Sequence, residues 1–345
     1  MSNTHPPIKG ESCGSPQRVL RSYGLRSVAP LVAVSGGFSG AAVWRVEAET
    51  GTFALRRWPI GGLPDERILG LHALLAHVKA NGVEPVAVPV RNTQGTTLTR
   101  SGGGRWQVEP WLPGVADFHA APNDARLVAV MQSLAAWHRA ARTFVPPADA
   151  RDWFAGNQGP CSSVLRRLSL CRQWPDQLQR LRPATERDES QFGALAERIS
   201  RLAVDQLPRM QRELSGFTDV AVSLQPCLRD IWHDHVLFDR DEVTGLIDAS
   251  AASTASVATD LARLLGSLLG DETMRWKAAI EHYDRLRPLS AVEQSLIVTL
   301  DRAAVVLSPL TWLRRRYVEA TPIDEAVVVA RLEQLLVRLE HLAGR

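Results

Sequence analysis

The chain has 345 residues, 45 % hydrophobic and 22 % charged, values of an ordinary globular protein with more than one lobe and not of a disordered chain. A formal net charge of +3 gives no electrostatic case for nucleic acid or a membrane surface as partner. The cysteines, Cys13, Cys161, Cys171 and Cys227, are scattered with no CxxC pair, so neither a disulfide framework nor a zinc site is expected and a reducing, cytoplasmic setting fits.

Residues 1–24 are polar and rich in Pro, Gly and Ser. They read as a loose tail without the apolar core of a signal peptide, and no apolar run reads as long enough to cross a bilayer. Short strands and tight turns follow. Leu31 to Val34 is strand-like, Gly36-Gly37-Phe38-Ser39-Gly40 is a glycine-rich turn, and Ala42 to Val46 and Thr52 to Arg57 are strands around a Thr50-Gly51 turn. From Pro64 to Ala80 the apolar residues Ile68, Leu71, Leu74, Leu75 and Val78 recur at helical spacing, and Asn81-Gly82 ends the helix. Val86 to Val90, Thr96 to Thr99 and Trp106 to Glu109 are expected strands. Beyond Pro113-Gly114 the pattern is helical, with amphipathic stretches at 123–142, 163–181 and 192–214 and helices again from Asp260 onward. The exception is 225–248, where a polar loop leads to Val236-Leu237-Phe238, a turn, and Val243 to Ile247. The expected class is therefore α+β, a small β-rich lobe (25–112) before a larger, mostly helical lobe (113–345).

The loop carries the chemistry. Asp230 opens the polar segment Leu228-Arg229-Asp230-Ile231-Trp232-His233-Asp234-His235, and Asp248 closes the hairpin after Ile247. Two carboxylates at opposite edges of one hairpin suit phosphoryl transfer, one orienting a hydroxyl and one holding a metal. Asp260 then opens a helix, where an aspartate caps the first turn.

These residues resemble the aminoglycoside phosphotransferase and choline kinase superfamily, whose loop reads roughly H-x-D-x-x-x-x-N-V-L-F, followed by I-D-[FWP] and a D-L-A. The Asp234-x-Val-Leu-Phe spelling is most similar to homoserine kinase-like and methylthioribose kinase-like members. The resemblance spans about 30–320 and implies a two-lobed protein-kinase-like fold. By it, Asp230 is the catalytic aspartate, Asp248 the metal ligand and Asp260 the brace of the loop. The family's metal-ligating asparagine falls on His235, and its histidine before the aspartate falls on Leu228. His235 would prefer Mn²⁺ over Mg²⁺ if it ligates, since Mg²⁺ seeks oxygen; otherwise Asp234 supplies an oxygen.

In the first lobe, Ala54 and Arg56 share one strand face, matching the small residue over adenine and the cation on phosphates that the fold requires. The chain has only three lysines, Lys9, Lys79 and Lys277, which leaves arginine for that role. Glu66 is the candidate carboxylate for holding Arg56, Gly36, Gly37, Ser39 and Gly40 the flap over the phosphates, and Glu109 to Trp111 the hinge that meets adenine. Each of these signals has a plainer reading: a hairpin tip for the glycines, a solvated strand arginine, a helix N-terminal charge for Glu66. Trp137-His138 reads as a packed pair, and Arg314-Arg315-Arg316 as a solvated or bracing face or as a contact for an anionic substrate.

The expected function is transfer of phosphate from ATP, with Mg²⁺, to a hydroxyl of a small molecule such as an amino alcohol, sugar or aminoglycoside. The alternatives are a kinase-like nucleotide-binding module without transfer, prompted by His235, and a metal-dependent phosphohydrolase, prompted by His233-Asp234. Acceptor choice belongs to the variable helical stretches 115–215 and 270–340, and the oligomeric state is open.

Overall fold

The computed structural model describes residues 15–34, 40–321 and 324–344. Its first element, α1 (Pro16–Ser22), overturns the reading of 1–24 as a tail throughout. Proline in the first turn starts the helix, and Val19, Leu20 and Tyr23 are buried with Val46, Leu55, Trp106 and Val108 in a small core of their own. Five strands follow, β1 (Val32–Val34), β2 (Ala42–Ala48), β3 (Gly51–Trp58), β4 (Thr99–Ser101) and β5 (Gly104–Pro110), antiparallel in the order β1-β2-β3-β5-β4. The helix α2 (Asp65–Ala80) buries Ile68, Leu71, Leu74, Leu75 and Val78, the residues whose spacing announced it.

Of the expected strands, one is absent from the ladder and another starts late. Pro85 and Pro89 interrupt 86–90, where proline offers no donor; Val86 makes an isolated bridge to Leu246, and the Val90 amide donates to the Val108 carbonyl at 2.7 Å. At 96–99 the Asn92 carboxamide oxygen collects the amides of Gln94 and Thr96 at 3.0 and 3.1 Å, so the strand starts only at Thr99.

The connection between lobes is pinned to the hairpin at 236–246. Val115 and Phe238 exchange both backbone hydrogen bonds, at 3.0 and 2.9 Å. Gly114 has φ +98°, and a Cβ there would run into the Thr244 hydroxyl and lie 2.6 Å from the Phe238 carbonyl oxygen, so the turn demands glycine.

The second lobe contains α3 (Asp124–Arg142), a short α4 (Arg151–Phe154), β6 (Asn157–Pro160), α5 (Ser162–Thr185), α6 (Gln191–Ser215), β7 (Ala221–Cys227), the hairpin β8 (Val236–Asp239) and β9 (Glu242–Leu246), β10 (Ser253–Ala255), α7 (Ala258–Leu269), α8 (Thr273–Asp284), α9 (Ala291–Tyr317) and α10 (Glu325–Ala343). The antiparallel sheet β10-β7-β6 was not expected; β7 leads the chain into the loop at 228–235 and β10 follows the hairpin after it. By length and composition α9 is apolar enough to cross a bilayer, against the sequence reading, but 67 % of that stretch is buried inside the fold.

Candidate active site

The loop at 228–235 is held from below by one carboxylate. Asp260, in the first turn of α7, is fully buried and accepts the amides of Leu228 at 2.7 Å and Arg229 at 2.6 Å. His138 of α3 bonds the same carboxylate through Nε2 at 3.0 Å and the Tyr283 hydroxyl through Nδ1 at 2.7 Å. His138 thus takes its place as a packed residue beneath the loop. Arg229 has φ +66°, a left-handed backbone that costs a non-glycine residue energy unless its surroundings impose it; the double acceptance by Asp260 imposes it. The next residue, Asp230, is thereby presented at the surface with its side chain 47 % exposed, and one turn beyond Asp260 on α7, Arg263 holds Asp230 Oδ1 through Nη2 at 2.6 Å and Nε at 2.9 Å. The sequence reading missed Arg263, although its spacing of three from Asp260 puts both on one helix face.

Asp248 follows β9, also with left-handed backbone, φ 54°. Arg56 of β3 reaches it across the cleft, Nη1 to Oδ1 at 3.4 Å. Burial alone would raise the Asp248 pKa, but Arg56, a hydrogen bond from Ser250 and the neighbouring His235 hold it below the usual carboxylate range, so it stands charged.

The carboxylate on the other side of Arg56 is Glu109, Oε1 to Nη2 at 3.8 Å, and not Glu66. Glu66 is exposed in the first turn of α2 because the apolar stripe of that helix faces the core and turns position 66 outward. Glu109 is the cross-strand partner of Ala54 and so lies beside Arg56's strand; Ala54 is buried. Glu109 is anchored by Gln107, whose Nε2 donates to its Oε2 at 2.6 Å. Gln107 Oε1 in turn accepts from Trp58 Nε1 at 2.8 Å and His72 Nε2 at 2.9 Å. Burial pushes the Glu109 pKa up, opposed by Arg56 and Gln107, and burial pulls His72 down to about 4.

At the hinge, the Trp111 amide donates to the Thr52 carbonyl at 3.0 Å. It is committed to the ladder and not available to a base. By the alternation of an antiparallel pair, the backbone groups turned away from β3 are the Pro110 carbonyl and the Leu112 amide. Of the glycine-rich turn, Gly36, Gly37 and Ser39 lie outside the described residues; Gly40 is exposed with φ +72°.

His235 departs from its assigned role as metal ligand. Its Nδ1 donates to the Asp230 carbonyl at 2.7 Å, and its Nε2 accepts from Trp232 Nε1 at 2.9 Å. Both ring nitrogens are engaged within the loop, so no lone pair is left for a cation. Asp234, 50 % exposed and 3.3 Å from His233 Nε2, keeps oxygens to offer. Asp248, a charged carboxylate beside Arg56, is an oxygen donor that fits Mg²⁺, which is commonly held by one or two carboxylates together with substrate phosphates and water. His233 is packed between Trp232 and His119, edge-to-face with ring centroids 4.6 and 4.5 Å away, an aromatic cluster and not a metal cage.

A family profile described as Phosphotransferase enzyme family matches residues 30–293. The homoserine kinase of Gluconobacter oxydans is 25 % identical over 294 residues, covering 77 % of this chain and 89 % of that protein. Among solved structures, an aminoglycoside phosphotransferase from Alicyclobacillus acidocaldarius superposes with a TM-score of 0.60 at 20 % identity, covering 99 % of this chain and 98 % of that one. The amicoumacin kinase hAmiN, solved with AMP-PNP, Ca²⁺ and Ami, gives a TM-score of 0.62 at 14 % identity with 93 % of each chain covered. At these identities the structures bear on the fold, which is the two-lobed kinase-like one.

Proposed function

Because the chain belongs to the phosphotransferase enzyme family, we propose that it transfers the γ-phosphoryl group of ATP to a hydroxyl of a small molecule. The acceptor oxygen forms a bond to the γ-phosphorus, the bond to the β–γ bridging oxygen breaks, ADP leaves, and the hydroxyl proton passes to Asp230. Arg56 holds the phosphates from β3, with Glu109 fixing its direction. Bound Mg²⁺ would be held by Asp248 and would neutralise phosphate charge. The Pro110 carbonyl and Leu112 amide face the adenine.

The observation that carries this reading is the clamp of Asp260 on the amides of Leu228 and Arg229. It pays for a strained backbone whose one evident product is an exposed, oriented Asp230, and a protein that only bound nucleotide would gain nothing from it. The buried, unpaired Cys161, Cys171 and Cys227 support a reducing, cytoplasmic setting. The test is ADP release from ATP and Mg²⁺ with pooled hydroxyl compounds, preceded by a thermal shift with ATP alone; binding to the native state raises stability by about 2.7 kcal/mol at a hundredfold excess over Kd. No shift with ATP or GTP and either Mg²⁺ or Mn²⁺ would refute it.

A further inference from the structure

The helical lobe matches most of its partly buried arginines with acids: Arg126 with Asp117 at 2.8 Å, Arg287 with Glu293 at 2.7 Å, Arg338 with Asp301 at 2.8 Å. Beyond Asp230 the matching stops. Arg167 of α5 bonds only the Ser163 carbonyl at 3.3 Å, and Arg229 bonds only the Ser253 hydroxyl at 2.7 Å. Arg331 of α10 places its guanidinium carbon 4.4 Å from the Trp232 ring centroid and 5.9 Å from that of Trp312. Among the described residues none of the three has a carboxylate at ion-pair distance, and Asp230 is taken by Arg263.

These cations converge. Arg167 feels the charges of Arg263, Arg166 and Arg229, and Arg331 those of Arg263 and Arg315 as well as Asp230 and Asp234. Burial lowers Arg167 to about 10 and also lowers Arg331, the neighbouring arginines adding to the effect in each case. Three guanidiniums thus gather on the loop: Arg229 adjoins Asp230 in the chain, Arg263 lies on Asp230 at 2.6 Å, and Arg331 sits over Trp232. Arg167 stands beside Arg263 and Arg229, one turn along α5 from Ser163, which the Thr259 hydroxyl joins to the start of α7 at 3.1 Å. Holding like charges together in partly buried positions is unfavourable unless an anion completes them, and the planar forks of arginine suit carboxylate and phosphate. The tryptophans beneath Arg331 keep its fork in place.

We infer that the acceptor carries, besides the hydroxyl that receives phosphate, an anionic group, a carboxylate or a phosphate, bound by Arg167 and Arg331 on the far side of Asp230. The inference rests on the phosphotransferase reading and narrows it: polycationic aminoglycosides are disfavoured by the same charges.

The test holds ADP and Mg²⁺ at saturation, so that the nucleotide's own phosphate site is filled, and titrates tartrate, inorganic phosphate and kanamycin by melting temperature and tryptophan fluorescence. At least one of the two anions binds saturably, tartrate reporting a carboxylate site and phosphate a phosphate site, and kanamycin does not bind. Arg167→Gln and Arg331→Gln each weaken that anion by about tenfold, the worth of one charge-assisted hydrogen bond, and Arg331→Lys restores part of it. The inference is overturned if the nucleotide stabilises the protein but neither anion does, if both glutamine variants bind anion as the parent does, or if kanamycin binds instead. Absence of the nucleotide shift in the parent would instead remove the phosphotransferase reading and the inference with it.

Discussion

Replacing Asp260 by alanine should damage stability and catalysis together, whereas replacing Asp230 should damage catalysis alone. Asp260 is fully buried and accepts three hydrogen bonds, from Leu228, Arg229 and His138, at 2.7, 2.6 and 3.0 Å. Each bond to a charged acceptor is worth about 1.5–3 kcal/mol, and removing one partner of a buried ionic network costs about 3–5 kcal/mol in all. With an unfolding entropy of about 2.1 cal/mol/K per residue over the chain, a loss of about 4 kcal/mol lowers the melting temperature by about 5–6 °C. Asp230 is 47 % exposed and paired with Arg263 alone; such pairs contribute about 1 kcal/mol or less, so Asp230→Ala should melt within about 1–2 °C of the parent. Calorimetry of the two variants, with turnover measured on the acceptor that the parent uses, makes the comparison. Equal melting of Asp260→Ala and parent, or full turnover in Asp260→Ala, would refute the view that this carboxylate is what holds the loop.

Asp248→Ala should abolish metal-dependent nucleotide binding while Asp230→Ala leaves it largely intact; calorimetric titration with ATP and Mg²⁺ checks this, and equal losses would refute the division of roles. His235→Asn should leave the preference between Mg²⁺ and Mn²⁺ unchanged, since both imidazole nitrogens are spent within the loop, and a switch in metal profile on titration would show that the ring turns to the cation. The buried His72 should make the protein less stable in mild acid. Its folded pKa, about 4, lies below the unfolded value near 6.5. As pH falls through 6.5 the unfolded chain takes the proton first, so stability declines between pH 6.5 and 4 by up to about 3 kcal/mol. Urea melts of parent and His72→Gln across that window should differ in slope, and parallel curves would remove His72 from the account.

The three aspartates were legible because their spacing is local: loop, hairpin and helix start fall within one stretch of chain, and each element announces itself by turn residues or apolar period. What joins distant strands was not. Glu109 displaces Glu66 as the partner of Arg56 because the register of β3 against β5 sets Ala54 opposite Glu109, and register depends on pairing that no single segment records. The engagement of His235 escaped for a related reason: Trp232 lies only three residues away, yet its indole reaches the ring only once the loop has coiled. α1 is too short for periodicity to show, and its two buried residues, Val19 and Leu20, matter only against a sheet not yet built. The unmatched arginines come from α5, the catalytic loop and α10, so their convergence is a property of the packed lobe.

One residue type serves three proposed purposes here, and environment alone separates them. Exposure of the side chain rises from 0 % at Asp260 through 28 % at Asp248 to 47 % at Asp230. The first is saturated by backbone amides and histidine, so it has nothing left to give a substrate and can only shape the chain. The second is half-desolvated beside one arginine, which keeps it charged and leaves an oxygen edge toward the phosphates. The third meets solvent, where an incoming hydroxyl can reach it, and its single partner, Arg263, comes from the same helix that carries the first. Positioning of the reactive carboxylate is therefore inherited twice from α7, once through the backbone and once through the side chain. Changes in the first turns of that helix should accordingly cost turnover even where they touch neither nucleotide nor acceptor.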